Sequence, residues 1–335
     1  MIQPHVITLG TAGGPKVWTD CPGRTGISTA VVVGDRHYVV DAGYGTGQQM
    51  AAAGLDPARW GGLFITHLHS DHVADLPALM LFSPYHLADR IDRPVPVIGP
   101  GDRGVLPEVS PHADTPPRPA APDRPTPGVV GLMERTVEAF ATDLNDRILD
   151  SLRPNPLDLF SPQEITVPGD VGYDPNHTPS PAMEPWTVFE DDRVRVTTIL
   201  VEHPPIAPAF AFRFDTDEGS VTISGDTCET ANTVRLARDT DLLLHEAIDF
   251  EWVEELYAGR TGPLAEASRL HHYKSHTSVE GACRVAREAG ARHLALHHLV
   301  PGAVDHDPWS RGADLFPGAF SVPRDLDTIT FGARS

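Results

Sequence analysis

The string Thr66-His67-Leu68-His69-Ser70-Asp71-His72 constrains this chain more than any other stretch of it. Three imidazoles and a carboxylate fall within six residues, directly after a short apolar run. Packing alone rarely calls for that density of ligand-type side chains, whereas a metal site does. If the segment is extended, His67 and His69 point to the same side, so one ion can take both. Once the chain turns, Asp71 and His72 reach a second ion. Imidazole combined with carboxylate suits zinc, with manganese and iron as the other ions that accept such donors. The expected cofactors are therefore two divalent metal ions, Zn2+ first, with Mn2+ or Fe2+ as alternatives.

Short apolar runs bounded by turn residues predict strands over 5–9, 28–33, 37–40 and 63–65, with a hairpin turn at Gly34-Asp35. A second block of strands is predicted over 193–201, 209–214, 220–224 and 242–244, and a last one over 293–296. Helical spacing covers 231–238 and 278–289, the latter with Val279, Ala282, Ala286 and Ala289 on one face. Two blocks of strands with helices after each predict two sheets packed face to face, helices outside. Between the blocks the composition changes: of 33 prolines, 17 fall within 100–127 and 154–185. Such stretches form neither regular helix nor central strand. Between them, 129–152 places Leu132, Val137, Phe140, Leu144 and Ile148 at helical spacing. Residues 100–190 are read as an insertion within a single domain spanning 1–335: a Pro-rich helical lid over one end of the sandwich.

Lys and Arg total 26 against 46 acidic residues, a formal charge of −20, and only Lys16 and Lys274 are lysines. A field of that sign repels polyanions, so nucleic acid and anionic membrane are not expected as partners. Cys21, Cys228 and Cys283 are too scattered for a disulfide framework or a paired-cysteine metal site and read as small buried side chains. The opening Met-Ile-Gln-Pro-His lacks a basic stretch followed by an apolar run, and no stretch is long enough to span a bilayer. A cytoplasmic protein is expected, with a homodimer left open.

Further donors recur at predicted strand ends: His203 in Val201-Glu202-His203-Pro204, Asp226 in Ser224-Gly225-Asp226-Thr227, and His297-His298 before Leu299-Val300-Pro301. Taken in order, Asp41, His67-x-His69-x-Asp71-His72, His203, Asp226 and His298 resemble the metallo-β-lactamase superfamily. The chain is most similar to the branch that holds ribonuclease Z and the metal-dependent arylsulfatases and phosphodiesterases. That branch likeness rests on Ser224-Gly225-Asp226-Thr227, His245-Glu246-Ala247 and His276-Thr277-Ser278, and the motifs run from Gly10-Thr11-Ala12-Gly13-Gly14 to Pro301. The resemblance implies an α+β fold, a four-layer αββα sandwich with the metals at its mouth. It implies one ion on His67, His69 and His203, the other on Asp71, His72 and His298, and Asp226 shared. His297 competes with His298 for the last place. Asp41 is implied as an acceptor that orients the ligand histidines.

Two such ions lower the pKa of a water and hold it for in-line attack on an ester. Asp71, His276, Glu246 and His245 are the residues expected to take part in catalysis. His276, oriented by Glu246, is the candidate proton donor to the leaving oxygen; His245 reads equally as a core histidine. His271, His272 and Lys274 read as exposed loop residues, or as positive charge near an anionic substrate. Tyr173, Trp186, Trp252 and Tyr257 are candidates for an aromatic wall, or for ordinary packing. The leading expectation is a binuclear metal-dependent hydrolase of small-molecule anionic esters, either aryl sulfate or phosphodiester. The alternatives are a ribonuclease Z-type tRNA 3′ endonuclease, or a lactonase or β-lactamase-type hydrolase. Two features weigh against the endonuclease: the charge, and a His203-to-Asp226 interval of only 23 residues, too short for the basic arm with which ribonuclease Z grips tRNA.

Overall fold

The computed structural model describes residues 3–303 and 307–332; Met1 and Ile2, the first residues of the opening discussed above, lie outside them. Val- and Phe-rich segments form fourteen strands among the described residues. In chain order they are β1 (His5–Gly10), β2 (Ser28–Val33), β3 (Arg36–Val40), β4 (Trp60–Phe64), β5 (Val95–Pro100), β6 (Phe160–Ile165) and β7 (Trp186–Glu190). They continue with β8 (Arg195–Leu200), β9 (Phe210–Asp215), β10 (Ser220–Ile223), β11 (Leu242–Ile248), β12 (His293–Val300), β13 (Ala319–Ser321) and β14 (Thr328–Thr330). One sheet runs β14-β1-β2-β3-β4-β5-β6 and the other β13-β12-β11-β10-β9-β8-β7. The hairpin at Gly34-Asp35 joins β2 to β3 antiparallel, and Gly34 takes φ 62°, which glycine adopts without a Cβ clash.

Strand alternation sorts side chains into layers. Val31, Tyr38, Val40 and Phe64 of the first sheet meet Phe210, Phe212, Phe214 and Leu244 of the second in one buried core. Phe64 stands edge-on to Phe212 and Phe214, with ring centroids 5.6 and 5.2 Å apart, a geometry worth about 0.5–1.5 kcal/mol per pair beyond area burial. On the outer face of the first sheet, Leu63 and Val97 pack against helical Leu76, Met80 and Met133. On the outer face of the second, Leu243 and Leu294 pack against the helix Val279–Ala289. Ser278 caps that helix by accepting from the Gly281 N–H. The result is the expected αββα order.

The stretch 100–190 departs from the lid reading. Its residues supply β6, parallel to β5, and β7, antiparallel to β8, so they close the outer edges of both sheets. Pro162 is tolerated in β6 because that strand is an edge with one side unpaired. The predicted helix is two, Val129–Ala139 and Ala141–Leu149, meeting at Phe140. Val129 and Met133 belong to the outer core of the first sheet, so the first of these helices is part of a layer. The loop between β5 and that helix approaches the mouth of the sandwich, where Pro107 and Pro125, with Leu132 of the helix, line a cleft beside His69. Cys21 and Cys283 are buried, whereas Cys228 is half-buried. No helix of the described residues is long and apolar enough to cross a membrane.

Candidate metal centre

β4 runs parallel to β3 and β5 in one sheet, and β8, β10, β11 and β12 run in a common direction in the other. Their carboxyl ends gather at one rim, so Asp41, the 66–72 string, His203, Asp226, Glu246 and His298 converge although spread over most of the chain. The two sheets are stitched there by the Phe210 N–H, which donates to the Thr66 carbonyl at 2.9 Å, while the Asp41 N–H ties β3 to β4 by donating to the Phe64 carbonyl at 2.8 Å. Asp226 sits on the turn after β10, where Gly225 has φ 59° and a Cβ would lie 2.7 Å from the Phe210 carbonyl oxygen. Only glycine lets the turn approach so closely.

Ligand atoms of His67, His69 and His203 lie within 4.8 Å of one another, as do those of Asp71, His72, Asp226 and His298. His69 Nδ1 is 3.1 Å from Nε2 of both His67 and His203. His72 Nε2 stands 3.2 Å from His298 Nε2. Asp226 faces both groups: Oδ1 is 3.3 Å from His72 Nε2 and 3.2 Å from His298 Nε2, while Oδ2 is 3.7 Å from His203 Nε2. Asp71 Oδ2 is 3.4 Å from His298 Nε2 and accepts from the Gly14 N–H at 2.9 Å. Nitrogens that face each other this way suit a cation between them. Around an ion with bonds of about 2.05 Å, neighbouring donors of a tetrahedron stand about 3.3 Å apart. Buried Asp226 Oδ1 has no hydrogen-bond partner, as expected of an oxygen meant for a metal. The cluster is able to bind metal.

Supporting contacts fix the donors. Asp41, at φ 62°, accepts from His72 Nδ1 at 2.8 Å and from the Thr66 N–H at 2.8 Å. Thr66 Oγ1 lies 3.1 Å from His67 Nδ1, and His203 Nδ1 donates to the Ser275 carbonyl at 2.6 Å. Thr66, Ser275 and the Gly14 N–H were not singled out from sequence; two of them act through backbone atoms, which leave no residue signature. Gly13 had one: a Cβ there would lie 2.4 Å from the His298 ring, so its motif gives that ring room.

His298 and His297 separate cleanly. β12 carries a bulge at His298, which stands at φ 48° between the pairs Glu246↔His297 and Ala247↔Leu299. The extra residue re-aims the side chain and brings His298 to Asp226. His297 is buried with neither ring nitrogen paired, and burial pushes its imidazole down to about 3.

Glu246 and His245 also part ways. Alternation sends Glu246 to the rim, where Oε1 accepts from the Thr227 N–H at 2.9 Å and from His276 Nδ1 at 3.0 Å. His245 shares a strand face with Leu243 and Ala247, which pack under the outer helix, and its Nδ1 lies 2.8 Å from the Glu246 carbonyl. The structure does not bring His245 to the cluster. His276 comes within 4.0 Å of Asp226 Oδ2. Burial disfavours its charge, but the Glu246 carboxylate together with Asp226 and Asp71 outweighs that and holds the imidazole up at about 9.

Electrostatics divide the centre. Burial drives His67 and His203 well below the usual histidine value. Burial also opposes charge on His72, yet Asp226, Asp41 and Asp71 raise it well above that value. Asp71 is held below the usual carboxylate range: burial raises it, and His72 and His298 more than offset that. The carboxylates that favour a proton on His72 favour a divalent cation in its place.

Other expectations need correction. His271, His272 and Lys274 lie on the helix Pro263–Ser275, not on a loop. His271 comes within 6.1 Å, ring to ring, of both His69 and His203. Tyr173 and Trp186 pack against the inter-sheet core, and Trp252 and Tyr257 against Val253 and Ile248. None of the four lines the cleft of about 470 Å³ that opens beside His69.

A two-sheet sandwich with a cluster of histidines and aspartates at the rim defines a metal-dependent hydrolase fold. The model of the metallo-beta-lactamase superfamily matches residues 23–274, and the chain belongs to that superfamily. It is 28% identical over 331 residues to a ribonuclease Z of Mycobacterium bovis (strain BCG), covering 98% of this chain and 99% of that protein. It is 29% identical over 317 residues to the ribonuclease Z of Mycobacterium avium, covering 94% of this chain and 95% of that one. Among solved structures, the short form of human tRNase Z shares the fold with a TM-score of 0.60 and 18% identity, covering 98% and 100% of the two chains. These relatives overturn the expectation that nucleic acid is excluded as a partner. Net charge describes the far field, whereas a bound metal pair sets the field at the site itself. The similarity lends no support to aryl sulfate cleavage.

Proposed function

We propose that the protein is a metal-dependent endoribonuclease of the ribonuclease Z type, cutting a phosphodiester bond of RNA near the 3′ end of a tRNA precursor. The observation that carries this reading is likeness to ribonuclease Z along nearly the whole chain, together with a donor cluster able to hold metal. His67, His69 and His203 would hold one divalent ion, and Asp71, His72 and His298 the other, with Asp226 between them; zinc suits these donors best. When bound, the pair supplies a water of lowered pKa and neutralises the phosphoryl oxygens.

The chain's own residues do the rest. Asp41 holds His72 in the tautomer that presents Nε2, and the Ser275 carbonyl does the same for His203. Glu246 accepts from His276 Nδ1, which leaves Nε2 to carry the transferable proton. The Glu246 carboxylate favours a proton on His276, which makes this ring the group placed to protonate the departing oxygen. Half-buried His69 and Asp71 form the open side through which the phosphate approaches.

The test is cleavage by metal-loaded protein of a tRNA transcript carrying a 3′ trailer, beside the mature transcript, a bis-aryl phosphate and an aryl sulfate. Cleavage of the trailer RNA, lost in Asp226→Ala, is expected. Fully metallated protein that hydrolyses the small esters and leaves the RNA intact would overturn the proposal.

A further inference from the structure

We infer that Trp18 and Tyr44 form a stacking platform for a nucleobase of the RNA beside the phosphate that is cut; this rests on the endoribonuclease reading above. Trp18 is 81% exposed and Tyr44 50%, and their rings meet edge to face, centroids 5.9 Å apart and planes at 78°. They wall a small cleft of about 130 Å³ whose floor includes Gly14, Ser70 and Asp71. An exposed indole paired with a phenol next to a candidate metal-ligating carboxylate is not explained by packing, since neither ring belongs to a buried cluster. The segment that carries Trp18 is tied to the centre by the Gly14 N–H, which donates to Asp71 Oδ2 at 2.9 Å. Tyr44 is fixed through its carbonyl, which accepts from the Gly26 N–H at 2.9 Å.

The lining of the cleft makes the occupant specific. Among the described residues that line it there is no Lys or Arg to grip a phosphate, and Asp71 is its charged group. Residues 204–225 form a turn and the β9–β10 hairpin and project no basic arm. Stacking on aromatic rings supplies affinity that needs no positive charge and accepts any base. The cleft is small enough for one flat ring and lies against the phosphate-binding side of the cluster.

The experiment compares metal-loaded wild type, Trp18→Ala, Trp18→Phe and Tyr44→Ala on a short trailer-bearing RNA, with metal content and oligomeric state measured for each. Binding is read as quenching of tryptophan fluorescence, and cleavage as KM and kcat. Trp18→Ala is expected to raise KM roughly tenfold or more with kcat little changed. Trp18→Phe should recover most of that loss while abolishing most of the quenching. If the RNA quenches Trp18 but is not cut, the platform stands and the endoribonuclease reading falls. If the RNA is cut with KM and quenching indifferent to Trp18, the platform falls alone. If Trp18→Ala instead converts a dimer to a monomer, the rings are a self-interface and the platform is overturned.

Discussion

The two halves of the candidate metal centre are built from different chemistry. His67, His69 and His203 offer three imidazoles, two of them fully buried, and burial keeps His67 and His203 neutral and ready to ligate. Asp71, His72 and His298 work beside carboxylates, and Asp41 stands behind His72. A cation entering the all-imidazole half displaces little charge. One entering the carboxylate half replaces the proton that Asp226, Asp41 and Asp71 keep on His72. The halves should therefore differ in how tightly and at what pH they fill, and Asp226, with one oxygen toward each, couples them.

Removing the coupling residue should have the largest effect. Asp226→Ala leaves both sets one donor short, and activity should fall by at least about a thousandfold, the scale of losing several kcal/mol of charge stabilisation. Steady-state rates on a bis-aryl phosphate would measure it without depending on RNA. His276→Ala should retain metal and lose roughly 10²–10⁴-fold on substrates with a basic leaving oxygen, far less on nitrophenyl esters. Equal losses across leaving groups would instead make His276 a positioning residue. Asp41→Ala should cost about 10–100-fold in metal affinity or activity, more in the carboxylate half than in the other, because its direct contact is with His72. Competition with a chelator, read ion by ion, distinguishes the halves.

The last effect lies away from the centre and concerns stability, with no change expected in rate. His37 is buried against Trp60, and burial pushes its imidazole down to about 4. The folded chain then binds fewer protons than the unfolded one between about pH 6.5 and 4. The stability due to neutral His37 is complete above 6.5 and lost as pH falls toward 4, by up to about 3 kcal/mol. Thermal unfolding of metal-loaded wild type and His37→Leu across that window should show a steeper decline in the wild type. Parallel curves would mean that His37 is not the titrating group.

Much of this centre was legible in the residues because its donors occur as a dense string and then singly after apolar runs, and strand ends are where parallel strands bring side chains together. The Asp71-His72 pair, Asp226 and His298 are far apart in sequence and adjacent in space for that reason alone. The bulge that chooses His298 over His297 leaves no mark, since two consecutive histidines read alike until the register is known. β6 was hidden by Pro162, which an edge strand tolerates and a central one does not, and β7 by Pro181 and Pro185 just before it. Trp18 drew no attention because a lone aromatic in a single helical turn, Val17–Asp20, gives no period. The charge argument failed for a different reason: it treated a total over the whole chain as though it described the rim.

The most direct measurement is metal stoichiometry by elemental analysis of four proteins loaded under identical conditions: wild type, His69→Ala, His298→Ala and Asp226→Ala. Two ions per chain in the wild type, about one in each histidine variant and fewer than one in Asp226→Ala would be the signature of two unlike halves sharing one carboxylate. A wild type that binds a single ion, or an Asp226→Ala protein that still holds two, would contradict it.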